Sequence, residues 1–408
     1  MTLSFTYPLA LAALLVMPAA AAQTPICSKF PTLGAQTQAG WCADIVSTAA
    51  LGLRMPRTVL WLAKKDGIDE LLVVDMGSWE PNRGRLLAVS VNTAQGTATA
   101  RELLKGLDRP HGLRLGPDGR IYLGEASRIS RFPKPGTDAV ALEPVVSDLP
   151  LDGRHPLKEF VFGADKSLYI NVGAATDRCE KKASVGANGA PDCPEMTSPK
   201  PQAAVYVARF EWPQGKLTSL TPFATGLRNS MALVAHPSGS VFQAENNIDF
   251  PEEAFPAEEI NKLVSGGHYG WPGCVENRKP LGSFTAAACG KTLAPAALLP
   301  AHAAPLHMQY SQAAFVPGQA AQRSGLLVSF HGYRASGQRL VRYDTQADGT
   351  PVGAPVALLY DPGPGKGAEG GKNARKPGGP VGWAEDDKGQ LWIADDRNRL
   401  LVWLHRGR

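Results

Sequence analysis

The pattern that recurs along this chain is a tight turn of Asp, Gly or Ser followed by a run of branched and aromatic residues. It reads Pro117-Asp118-Gly119-Arg120 into Ile121-Tyr122-Leu123-Gly124-Glu125, and Ala164-Asp165-Lys166-Ser167 into Leu168-Tyr169-Ile170-Asn171-Val172. The pattern returns at Pro237-Ser238-Gly239-Ser240 before Val241-Phe242-Gln243-Ala244-Glu245, and at Asp387-Lys388-Gly389-Gln390 before Leu391-Trp392-Ile393-Ala394-Asp395. Looser copies lie at residues 66–75 and 324–329. Each phrase predicts a turn feeding a strand, because Gly and small polar residues accept turn backbone while branched and aromatic side chains fill a sheet. Several are followed by a second strand, such as Arg128-Ile129-Ser130-Arg131-Phe132 and Arg339-Leu340-Val341-Arg342-Tyr343. Imperfect repeats of this kind predict four-stranded antiparallel sheets repeated radially, an all-β propeller. Helix-period segments are nearly absent. Residues 40–60 and 252–264 are the candidates for short helices, and the polar segments 180–202 and 361–379 read as long loops on the blades.

Composition narrows the class. With 408 residues, 44% hydrophobic and 19% charged, the chain has the make-up of a globular protein, and its 43 Gly and 34 Pro suit a loop-rich all-β fold. The apolar run Leu9 to Val16, ended by Met17-Pro18-Ala19-Ala20-Ala21-Ala22, predicts a signal peptide over residues 1–22. That leaves 23–408 as one propeller domain, periplasmic or secreted. The run falls short of the ~20 apolar residues of a membrane span, and none is expected. Six cysteines fall as Cys27 and Cys42, Cys179 and Cys193, Cys274 and Cys289, spaced by 15, 14 and 15 positions. Of the 15 possible connectivities, this spacing favours nearest-neighbour pairing and export to an oxidising compartment. No C-x-x-C grouping exists, which argues against a zinc site and against covalent haem. The net charge of +5 is dispersed, so nothing favours a nucleic-acid partner.

Longer phrases carry the chemistry. They are Gly226-Leu227-Arg228-Asn229, then Glu258-Glu259-Ile260-Asn261 running into Gly267-His268-Tyr269-Gly270-Trp271-Pro272-Gly273-Cys274, then Ala301-His302-Ala303-Ala304-Pro305-Leu306 and Phe330-His331-Gly332-Tyr333-Arg334. In this order, from about Gly106 to the C-terminus, the chain resembles the glucose/sorbosone dehydrogenase family. Those are six-bladed propellers that hold pyrroloquinoline quinone (PQQ) and calcium over the central channel and oxidise sugars. The resemblance implies six blades here, PQQ and Ca²⁺ as cofactors, an aldose or related sugar aldehyde or alcohol as substrate, and a separate soluble or membrane electron acceptor.

It also implies roles for residues. His155 matches the family's base, a task that suits a neutral imidazole, and otherwise reads as a loop residue at a blade edge. Arg228 and Asn229 match the quinone-contacting pair, with Arg228 stabilising developing oxygen charge; the plain alternative is an arginine paired with a loop carboxylate. His111, Lys158 and Arg334 join the pocket and cofactor set. Glu245, Asn246, Asn247 and Asp249 occupy the calcium-binding place and offer the hard oxygens that calcium prefers. Glu252, Glu253, Glu258 and Glu259 read instead as a solvated face of a short helix. One departure stands out: where the family has Gly-Arg-Pro, this chain has Gly378-Gly379-Pro380, and Arg375 or Lys376 is expected to replace the missing cation. A scaffold that binds a sugar or partner without redox chemistry is the rival reading. A calcium-dependent lactonase fits less well, since His and Arg rather than carboxylates occupy the channel phrases.

Overall fold

A computed structural model of the protein describes residues 26–46, 51–136, 140–180, 184–185, 191–311, 325–360 and 378–407. The signal-peptide expectation and the pair Arg375 and Lys376 lie outside the described residues.

The recurring turn-and-strand phrase marks the same place each time. It builds the second strand of a blade, at Ile68–Asp75, Ile121–Glu125, Leu168–Val172, Val241–Glu245, Gly325–Phe330 and Leu391–Asp395. Each is an interior strand of its own sheet, so six phrases give six blades. The first strands are Pro56–Lys65, Leu113–Leu115, Phe160–Phe162, Ala232–Ala235, Pro305–Ser311 and Pro380–Glu385 in blades 1 to 6. They meet around the axis, blade 6 touching blade 1, and line the central channel. Pairing within blades is antiparallel; the short strand Gly267–His268 adds parallel to the outer edge of blade 3.

The core is divided among the gaps between blades. Leu72, Leu113 and Phe132 pack between blades 1 and 2, Tyr122, Phe160 and Tyr206 between 2 and 3, and Phe242, Phe330 and Tyr343 between 4 and 5. Burying one such side chain contributes ~1.5–3 kcal/mol, which is why every blade needs both neighbours. The ring closes through the chain ends. Trp41–Val46 pairs antiparallel with Leu400–Arg406 as the outer strand of blade 6, and His405 Nε2 meets Asp44 Oδ2 at 2.8 Å across this seam. All three local disulfides are formed: Cys27–Cys42 beside the seam, Cys179–Cys193 in the long loop of blade 3, and Cys274–Cys289 in that of blade 4.

One helix expectation is corrected. Among the described residues of 40–60, Leu51 is helical between the strand Trp41–Val46 and the start of Pro56–Lys65, whereas residues 252–264 supply the strand Glu258–Lys262, with Glu258 and Glu259 buried rather than solvated. A run of charged residues had masked a strand whose carboxylates point into a protein interior. The described helices are one turn long, Pro194–Thr197 and Ala286–Cys289.

Candidate active site

Four blades end their second strand on an acid with a shared task. Asp75 accepts the N–H groups of Arg54 and Met55 (3.1 and 2.7 Å), and Glu125 that of Asp108 (3.0 Å). Glu245 accepts that of Asn229 (2.8 Å), and Asp395 those of Gly378 and Gly379 (2.7 and 3.0 Å). Each acid pins the loop that enters the first strand of its blade and so shapes the channel mouth. The remaining acceptor capacity goes to Arg85 in blade 1, Arg128 in blade 2 and Asn398 in blade 6. In blade 4 Glu245 Oε2 is buried and has no hydrogen-bond partner among the described residues.

These loops enclose a cavity of about 690 Å³ over the axis. Its floor is apolar: Leu157, Met231 and Leu306 belong to one buried cluster with Met76 and Val381, and the half-buried Met55 packs against it. Its walls are charged, with Arg57, Arg154, Arg228, Arg334 and Arg397 set against Asp249, Glu258 and Asp396. Five guanidinium groups, several shared with Asp177, Asp249, Glu253 and Asp396, offer hydrogen-bond donors above an apolar floor, which suits an oxygen-rich ligand with an apolar body.

His155 stands on this wall. Its Nδ1 lies 2.7 Å from the Ala174 carbonyl, which can only accept, so Nδ1 carries the proton and the Nε2 lone pair is free. Burial, reinforced by the nearby Arg228 charge, pushes its pKa down to about 3, so the ring is neutral at ordinary pH. The approach depends on a glycine: a Cβ on Gly173 would lie 2.5 Å from the His155 Cβ and 3.0 Å from Asn229 Oδ1. Gly173→Ala is therefore expected to displace both residues and to cost ~1–3 kcal/mol of stability, measurable by urea unfolding.

Arg228 is buried and held from three sides, by Asp177 Oδ1 (2.7 Å), Asp249 Oδ2 (3.2 Å) and the Asn246 carbonyl (2.8 Å). Asp177 directly precedes the loop closed by Cys179–Cys193, so that disulfide backs the residue that aims Arg228. Across the cavity Asp396 bridges Arg57 (2.5 Å) and His331 Nε2 (2.9 Å). Arg397 donates to His331 Nδ1 (3.3 Å) and to the Gly378 carbonyl (2.6 Å).

No protein-family profile matches the chain, and no curated protein matches it. Solved structures do. The PQQ domain of a pyranose dehydrogenase from Coprinopsis cinerea, in its holo form, aligns over 94% of this chain and 100% of its own, with TM-score 0.66 and 19% identity. The calcium structure of a Trichoderma reesei carbohydrate-active enzyme of family AA12 aligns over the same shares with TM-score 0.65 and 17% identity. The soluble aldose sugar dehydrogenase of Escherichia coli, in its apo form, aligns over 90% of this chain and 99% of its own, with TM-score 0.53 and 13% identity. The chain has the fold of these sugar dehydrogenases.

Within that fold, the cavity brings together His155, Arg228, Asn229, Asn246, Asn247, Asp249 and Arg334 of the residues singled out in the sequence. Glu245 lies buried behind Asn229. Two others stand elsewhere. His111 is buried below the cavity, where Arg57 Nε donates to its Nδ1 (3.2 Å) and its Nε2 faces Glu159 (3.4 Å). Lys158 is fully buried with its ammonium on the Pro156 carbonyl (2.8 Å), outside the cavity lining. Both sit close before a first strand, Leu113–Leu115 and Phe160–Phe162, whereas His155 sits farther back in the loop. The sequence reading missed Arg57, Glu258, Asp396 and Arg397. The His331–Asp396 pair accounts for the glycine at 379: a Cβ there would lie 2.7 Å from the His331 ring and 3.0 Å from Asp396 Oδ1, so a side chain would displace that pair. Among the described residues, no helix is long and apolar enough to cross a membrane.

Proposed function

We infer that this protein is a PQQ- and calcium-dependent oxidoreductase that oxidises an aldose, or a related sugar aldehyde or alcohol, to the lactone or acid. The observation that carries this reading is His155, with Nδ1 committed to a carbonyl and Nε2 free in an arginine-walled cavity with an apolar floor. When bound, PQQ would supply the two-electron acceptor and calcium the Lewis acidity.

The residues present fit both groups. Met55, Met231 and Leu306 would carry the flat ring system, and Arg57, Arg228, Arg397 and Asn229 its carboxylates and carbonyls. Glu245, with its unpartnered Oε2, and Glu258 would hold calcium beside Asn246 and Asn247. Burial pushes the Glu245 carboxyl up to about 8 and that of Glu258 up to about 7, so a bound cation would stabilise their ionised forms. His155 Nε2 takes the proton of the sugar hydroxyl. Arg228, fixed by Asp177, stabilises oxygen charge as it develops. A bound polyanion would oppose the Arg228 field, the second cause after burial of the low His155 pKa, and raise the basicity of the ring.

Reconstitution of the purified protein with PQQ and calcium is expected to give retained quinone absorbance after gel filtration and dye reduction with aldoses. Calcium alone is expected to raise Tm, and more at pH 8 than at pH 5. The folded pKa of Glu245 lies above its unfolded value of 4.5, so the calcium-free protein loses stability as pH rises from there through about 8, and the cation offsets that loss. No PQQ binding would instead support a propeller that binds a sugar or partner without redox chemistry.

A further inference from the structure

Two large aromatic rings stand in solvent at the mouth of the cavity, Trp79 at 54% exposure and Tyr333 at 79%. Of the eight tryptophans, Trp79 alone is exposed. Neither ring hangs on a loose segment. Asp75 Oδ1 accepts the Gly77 N–H (3.2 Å), the Met76 carbonyl accepts the Ser78 N–H (2.8 Å), and Ser78 Oγ accepts the Glu80 N–H (3.2 Å), which fixes the loop that carries Trp79. Tyr333 has the Arg397 guanidinium 3.7 Å from its ring centroid and the His331 ring edge-on at 5.7 Å. One face of Tyr333 is thus covered and the ring held in place, while most of it remains open to solvent. Exposed apolar surface organised beside a cavity is a mark of recognition.

We propose that Trp79 and Tyr333 form a stacking platform for the second and following rings of a reducing oligosaccharide whose terminal ring enters the cavity. The proposal rests on the sugar-oxidising reading above and names its substrate class. A pyranose presents a C–H face, which settles on the electron-rich face of an aromatic ring, and a rim of hydroxyls, which needs donors and acceptors. The cavity mouth offers both, since the half-exposed Arg154 and the partly exposed Arg334 stand on the same wall system. A ring held at His155 and Arg228 is engaged by the walls, and the rings at the mouth are left for what is attached to it.

Two measurements test this. The first compares kcat/KM for glucose with that for its α-1,4 and β-1,4 di- and trisaccharides in the reconstituted parent and in Trp79→Ala, Tyr333→Ala and the double variant. At least one trisaccharide series is expected to exceed glucose, and the double variant to lose about tenfold more on that trisaccharide than on glucose, with each single variant losing about two- to tenfold. The second measures binding of the borohydride-reduced trisaccharides, which lack an oxidisable anomeric carbon, to the PQQ-free protein by calorimetry. Binding is expected to be tighter than that of glucitol and to weaken about tenfold in the double variant. Equal losses on glucose and trisaccharide, or trisaccharide binding unaffected by the double variant, overturn the platform and leave the two rings to a redox partner. A protein that binds the reduced trisaccharides through these rings but oxidises no sugar supports the platform and overturns the oxidoreductase reading instead.

Discussion

His155→Ala, reconstituted with PQQ and calcium, is expected to lose about 10²–10⁴-fold in kcat under saturating sugar while keeping its fold and its bound cofactor. The side chain makes one hydrogen bond, from Nδ1 to Ala174, so its removal empties a position on the cavity wall without stranding a charge. His111→Ala provides the contrast. His111 is packed between Arg57 and Glu159 below the cavity, so its loss strips partners from two buried ionisable groups and is expected to lower Tm rather than kcat at saturation. Stopped-flow dye reduction beside thermal unfolding separates the two effects. A His155 variant with near-parental kcat would remove the base from this site.

Arg228→Ala is expected to destabilise the protein by ~1–3 kcal/mol, because it removes the guanidinium 2.7 Å from the buried Asp177 carboxylate, which keeps only the more distant, half-exposed Arg178 (3.6 Å) and Arg154 (3.9 Å). The double variant Arg228→Ala, Asp177→Asn is expected to recover part of that loss, since the buried carboxylate deprived of its nearest cation is gone. Both are expected to lack PQQ binding. Urea unfolding of the four proteins in the cycle reads the coupling. Additive effects would mean that the pair is not coupled and that Asp177 does not aim Arg228.

The sequence carried the repeating parts of this molecule and little of what the repeats assemble. All six turn-and-strand phrases became second strands, since a Gly or Asp turn followed by residues such as Leu168-Tyr169-Ile170 is decided within a few positions. The three disulfides were legible for the same local reason. The helix expected at residues 252–264 failed because Glu258 and Glu259 read as surface residues; only the neighbouring loops, which supply N–H donors to Glu258 from Asn247 and Ala304, make a buried carboxylate there tenable. The far wall of the cavity was invisible. Arg57 and Asp396 form one ion pair but lie 339 positions apart, and neither sits in a phrase that announces it. The glycine at 379 looked like a lost cofactor contact. In three dimensions its place is taken by the His331–Asp396 pair, beside which Arg397 donates to the Gly378 carbonyl; Arg375 and Lys376, expected to supply the cation, lie outside the described residues.

Closure of blade 6 by Trp41–Val46 has a consequence for how the protein is made. That strand emerges from the ribosome early and waits, since its partner Leu400–Arg406 is synthesised last; the Asp44–His405 contact spans 361 positions. Until then the gap between blades 6 and 1 stays unfilled, and the blade 1 face with Leu71, Val73 and Val89 is exposed. Contacts of such separation form slowly. Oxidation of Cys27 to Cys42 could precede that event, and would hold the waiting strand in a short loop rather than leaving it free to pair with a neighbouring molecule's open sheet edge.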